Sequence, residues 1–150
     1  MDKNNILYNE FVNSVEIRQI TIPKLSWEVS NYPESGEQLS VIPDIDWLDP
    51  KIIDETFAEY GASLTLEGLS DNCGEPFLTI SIVVKMVIKF DKNLFSQENI
   101  QLYQFRNAAL SLMAILREQV RNATVQIGLP QLILPTFKII PDNPLKEINS

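Results

Sequence analysis

Residues Gln97–Phe137 read QENIQLYQFRNAALSLMAILREQVRNATVQIGLPQLILPTF, and apolar side chains recur through them in steps of three and four. Phe105, Ala108, Ala109, Leu112, Met113, Leu116, Val120 and Ala123 fall on one face of a continuous helix. Tyr103, Leu110, Ala114 and Ile115 widen that stripe to more than half the circumference. A helix lying on a single sheet needs a stripe of only about 100°. The spacing therefore predicts a helix covered on two sides, by its own sheet and by either a second copy of the chain or a non-native apolar guest. Tyr103, Leu110, Ala114 and Ile115 are the expected oligomer face. Ser96 is placed to cap the helix start, with Glu98 near its positive end. The more polar Gln97–Gln104 predicts a kink or break near Phe105, and Gly128 with Pro130 marks the stop.

Upstream of this helix the period changes from 3.6 to 2. Leu78, Ile80, Ile82, Val84, Met86, Ile88 and Phe90 form an unbroken apolar side of a strand, opposite a mixed side of Thr79, Ser81, Val83, Lys85, Val87 and Lys89. Phe57–Leu69 reads as its neighbour, with Ala62, Leu64 and Leu66 inward, and Ser70–Pro76 as the turn between them. This pattern predicts an antiparallel pair with one packed face and one wetter face.

Ser14–Asn31 is a strand whose apolar phase slips twice. Val15 and Ile17 share one parity, Ile20 and Ile22 the other, and Leu25, Trp27 and Val29 return to the first. Each slip implies a bulge or bend, and Pro23 at the second slip suits an edge strand. Residues 32–54 carry Pro33, Gly36, Pro43 and Pro50 among Leu39, Val41, Ile42, Ile45, Trp47 and Leu48. They read as an irregular apolar connection that either packs as a flap over the core or lines a groove. The organisation expected is an N-terminal arm at 1–13, one domain at 14–140 and a tail at 141–150. Gln131–Ile140 is a short apolar segment with Pro135 inside.

The 150 residues suit a single domain, long enough to bury roughly 70% of the surface of the unfolded chain. Twenty acidic against twelve basic residues give a net charge of −8. That balance disfavours nucleic acid and anionic membrane and favours basic segments. Neither nucleic-acid binding nor membrane insertion is expected, because the longest apolar run, Ile82–Ile88, is broken by Lys85 and too short to span a bilayer. The start Met1-Asp2-Lys3-Asn4-Asn5 lacks the pattern of a signal peptide, which makes a cytoplasmic location the expectation.

Reaction chemistry is thin. The chain has no histidine, and its lone Cys73 lacks the usual activating partner, so no catalytic residue, metal site or cofactor is expected. Asp44, Asp46, Asp49, Asp54 and Glu55 form an acidic cluster. Leu48 and Asp49 occupy the fifth and sixth places of a calcium-type loop, where a ligand and a glycine belong, so a solvated acidic loop is the plainer reading. What remains is apolar surface in excess of what a small sheet covers, the mark of an interaction site.

Two stretches carry a resemblance to the SecB family of export chaperones. One is Val15-Glu16-Ile17-Arg18-Gln19-Ile20-Thr21 through Leu25-Ser26-Trp27-Glu28-Val29-Ser30-Asn31, similar to the family's opening strand. The other is Arg117-Glu118 followed by Gly128-Leu129-Pro130-Gln131-Leu132 and Pro135, similar to its long helix and exit. The resemblance implies a four-stranded antiparallel sheet with one long helix on a face, an α+β fold. It implies dimers or tetramers built through edge strands and helices, and ATP-independent holding of non-native polypeptide clients in apolar grooves. Trp27, Val41, Ile42, Ile45, Trp47 and Leu48 are then the candidate groove residues. The sequence departs from the family in three ways. Only thirteen residues follow Phe137, where export members continue into a second helix and a tail contacting the SecA motor. Lys24 replaces an acid of the motor-docking strand, and Ala114 stands where the family helix often has proline. A partner-specific interaction module of the same fold, binding for example a toxin or antitoxin, is the alternative reading.

Overall fold

The strand with the strictest alternation is the centre of the molecule. In the computed structural model, which describes residues 3–30, 39–70 and 75–128, β4 (Leu78–Lys89) alternates buried and half-buried along its whole length. It pairs antiparallel with β3 (Phe57–Ser70) on one side and β1 (Glu16–Val29) on the other. β3 pairs antiparallel with β2 (Leu39–Ile52), giving the order β1-β4-β3-β2. Ala62, Leu64 and Leu66 of β3 are buried, and Leu78 through Phe90 on the even side of β4 are buried with them.

β1 slips in register between Ile17 and Gln19 and again between Thr21 and Lys24. Those are the two places where the apolar parity changes, and the second contains Pro23 on an edge strand, as expected. The slips keep Ile17, Ile20, Leu25, Trp27 and Val29 opposite Ile88, Met86, Ile82, Ile80 and Leu78, all buried residues on one face of β4. A strand without bulges would send half of that set to the other side.

The connection expected at 32–54 is corrected. From Leu39 it is β2, a second edge strand, with a register shift between Leu48 and Lys51 that accommodates Pro50. The acidic residues Asp44, Asp46 and Asp49 lie along this strand and not in a loop. Asp54 sits in the β2–β3 turn, where its Oδ1 accepts from the Thr56 N–H at 2.7 Å, the Thr56 hydroxyl at 2.9 Å and the Phe57 N–H at 2.9 Å. Residues 31–38, the turn residues 71–74 with Cys73, and everything beyond Gly128 lie outside the described residues. Those segments include the Gln131–Ile140 stretch and the tail.

After a 3-10 turn at Lys92–Leu94, the chain enters α2 (Gln97–Tyr103), capped by Ser96, whose Oγ accepts from the Asn99 N–H at 3.0 Å. The expected irregularity near Phe105 is a π-helical turn over Gln104–Ala108, after which α3 (Ala109–Ile127) completes the long helix. α3 ends where Gly128 takes φ +85° and its N–H donates to the Thr124 and Val125 carbonyls, a conformation that side chains disfavour. Ala108, Ala109, Leu112, Met113, Leu116, Val120 and Ala123 are all buried, with Phe105 half-buried, so the stripe faces the sheet.

The N-terminal lead-in is a helix, α1 (Lys3–Ser14), which closes one end of the core. Phe11 is fully buried against Phe90 at 5.2 Å and Tyr103 at 6.0 Å between ring centroids. The Tyr8 hydroxyl donates to Asn107 Oδ1, and the Arg106 guanidinium lies 5.1 Å from the Tyr8 ring centre. Ser14 Oγ accepts from the Asp91 N–H at 3.2 Å, tying α1 to the end of β4.

Candidate functional site

The helix layer stops short of β1. Ile17, Ile20, Leu25 and Trp27 share the helix-side face with the buried residues of β4, yet each stands between 44 and 48% exposed. Ile22 is exposed beside them, so one edge strand carries a row of five large apolar side chains that α3 does not cover. A contiguous exposed patch of this kind marks an interaction surface.

The opposite edge differs. Val41, Pro43, Ile45 and Trp47 pair with Gly68, Leu66, Leu64 and Ala62, so they share the helix-side face, where they are half-buried against the core. The intervening Ile42, Asp44 and Asp46 pair with Glu67, Thr65 and Ser63 on the outer face. There Ile42 is 51% exposed. Leu48 lies over Gly61, where an added Cβ would come within 2.8 Å of the Leu48 Cδ1. The Leu48 carbonyl accepts from Gln104 Nε2 at 2.8 Å, so the π-helical turn anchors β2 where its register shifts.

The six expected groove residues are thus not brought together. Trp27 is on β1 and the other five are on β2, with two strands between them. Among the five, Val41, Ile45 and Trp47 face the helix side, and Ile42 faces the other. Of the expected oligomer face, Leu110 and Ala114 are exposed and Ile115 is half-buried. Tyr103 is corrected: it lies in the chain's own core, 5.4 Å from the Tyr60 ring. Sequence reasoning missed Ile17, Ile20, Ile22 and Leu25 as surface residues because it assigned the whole strand inward. It missed the apolar–acidic alternation of Val41–Trp47 because Pro43 and Pro50 suggested irregular chain.

Burial pushes the Tyr8 hydroxyl up to about 12, against the lowering effect of Arg106, and also raises Tyr60 and Tyr103. Among the described residues no three His, Cys, Asp or Glu side chains form a metal-binding group, and no helix is long and apolar enough to cross a membrane.

Neither a protein-family model nor a curated protein matches the sequence. Among solved structures, the chain is similar to the Mycobacterium tuberculosis SecB-like chaperone Rv1957, solved with a ChAD peptide from the Rv1956 HigA1 antitoxin. The TM-score is 0.75 at 15% identity, over 89% of this chain and 97% of that one. The chain has the SecB-like fold. A Streptococcus agalactiae protein of unknown function also matches, with a TM-score of 0.45 at 14% identity over 81% of this chain and 96% of that one. The SecB-like fold accounts for both layers described above, a four-stranded antiparallel sheet and one long helix packed on it. It gives this chain two long edge strands with different chemistry, one apolar and exposed, the other apolar on one side and acidic on the other.

Proposed function

We propose that the chain is a SecB-like, ATP-independent holdase that binds non-native polypeptides in the cytoplasm and carries out no reaction. The supporting observation is apolar area left uncovered on a helix-covered sheet at more than one place: on β1, at Ile42 of β2 and at Leu110 and Val125 of α3. Burial of each large client side chain contributes roughly 1.5–3 kcal/mol, without directional demands, which suits varied unfolded sequences. The same β1 row is the proposed surface for a homodimer, with Leu110, Ala114 and Ile115 on the helix contributing to dimers or tetramers. Export coupling through a SecA-like motor has weaker support, since Lys24 stands on the outer side of β1 opposite Val83.

A second reading is a module dedicated to one partner. It is favoured by the Rv1957 complex, in which a SecB-like chaperone holds a peptide from an antitoxin. Light scattering of a misfolding substrate tests the first reading, with suppression of aggregation expected at stoichiometric ratios. No suppression, together with a single dominant partner in pull-downs, would shift the function to the module. Trp47→Ala is expected to weaken capture on either reading.

A further inference from the structure

We propose that the free edge of β2 takes up an extended polypeptide strand whose residues alternate apolar and basic, adding a fifth strand to the sheet. The inference rests on the client-binding reading above and names the class of client that this edge selects. Among the described residues no strand lies beyond β2. In an antiparallel pair, alternate residues direct their backbone groups to the partner and those between direct theirs outward. Pro43 has no N–H to give to β3, so its place in the paired run opposite Leu66 is one whose backbone faces outward. Val41, Ile45 and Trp47, two and four residues away, share that orientation and offer N–H and C=O groups to an incoming chain.

The side chains then set what that chain must carry. Residues opposite Val41, Pro43, Ile45 and Trp47 meet the half-buried apolar row on the helix side. Residues between them meet the outer row, where Asp44 and Asp46 are exposed and no Lys or Arg among the described residues forms an ion pair with either. Opposite charges paired across strands stabilise and like charges destabilise. The accessible run is bounded as well, because the register of β2 shifts beyond Leu48, where Pro50 stands. β1 does not offer the same edge. Its two register shifts break the ladder into short runs, and its outer positions mix Lys24 with Glu16 and Glu28.

The test uses the full chain and three labelled peptides: alternating leucine and lysine, the same residues in two blocks, and alternating leucine and glutamate. Fluorescence anisotropy is expected to rank the alternating lysine peptide first, with hydrogen exchange at Val41, Ile45 and Trp47 slowed by it. Asp44→Lys combined with Asp46→Lys is expected to reverse the preference between the lysine and glutamate peptides, by about tenfold for two cross-strand pairs. Equal binding of the blocked peptide, or an unchanged preference in the charge-reversed variant, overturns the inference and leaves the holdase reading standing if aggregation is still suppressed. Slow exchange at those three amides in the free chain, with no peptide bound, means that the chain itself or a second copy occupies the edge, and also overturns it. Loss of aggregation suppression by the unmodified chain is the separate result that removes the holdase reading.

Discussion

Tyr60 shows how one buried hydroxyl ties the two layers together. It donates to the Ile100 carbonyl at 2.7 Å, linking β3 to α2 from within the core. Burial raises its pKa, as it does for Tyr8, so the folded state resists ionisation of both. A folded pKa above the unfolded one gives stability that is complete below about pH 10 and is lost as pH rises towards the folded value. The chain is expected to lose stability from about pH 10 upward, and Tyr60→Phe should flatten that alkaline arm. The same variant should cost about 0.5–1.5 kcal/mol at neutral pH, read from denaturant midpoints. Asp54 runs the other way. Hydrogen bonds, first from the Thr56 N–H, then from the Thr56 hydroxyl and the Phe57 N–H, hold its pKa below the ordinary aspartate value. Its contribution is present above the unfolded pKa and fades as pH falls through the lowered one. NMR titration should find this carboxyl ionising at a lower pH than aspartates without such donors. A midpoint at or above the ordinary value would contradict the turn geometry.

At the scale of elements, the docking of α1 turns on Phe11. Phe11 fills a space walled by Phe90 and Tyr103, so Phe11→Ala should cost about 3–5 kcal/mol by thermal or denaturant unfolding. A change under about 1 kcal/mol would mean that the helix docks weakly. That helix was legible only as a few apolar residues in a polar lead-in; among its described side chains Tyr8 and Phe11 are buried and Val12 packs beside them. The interior strands and α3 were legible because burial on one face imposes a strict period on the sequence. β1 was legible even in its bulges, since each slip of register leaves a slip of parity. β2 was not, because an edge strand tolerates prolines that would disqualify a central one. Its acidic residues, read as a loop, are the outward half of an alternating strand.

For the whole molecule, the surplus apolar area inferred from the helix is real but largely sits elsewhere. Most of the helix stripe is spent on the sheet, and the exposed excess stands on β1. Helix periodicity reports how wide a stripe is and not which strand lies under its margin, so the functional surface was only partly readable. If the β1 row joins two protomers, Ile20→Lys with Trp27→Lys should yield monomers by native mass spectrometry while the far-UV spectrum is kept. The melting temperature of the unmodified chain should rise with protein concentration. Mass unchanged by the double substitution would move the contact to another face. Clients of basic character should also bind more weakly as salt is raised, since the net charge of −8 is screened beyond about 8–10 Å at ionic strengths of 0.1–0.15 M.

Both outer strands of the sheet carry proline, Pro23 on β1 and Pro43 and Pro50 on β2. A protein that handles sticky, half-folded chains runs a danger of its own, since an unbroken border would let neighbour after neighbour stack into a fibre. An imino acid on either flank leaves a gap in the hydrogen-bonding comb. Lodging one guest is compatible with such a gap, whereas endless templated growth is not.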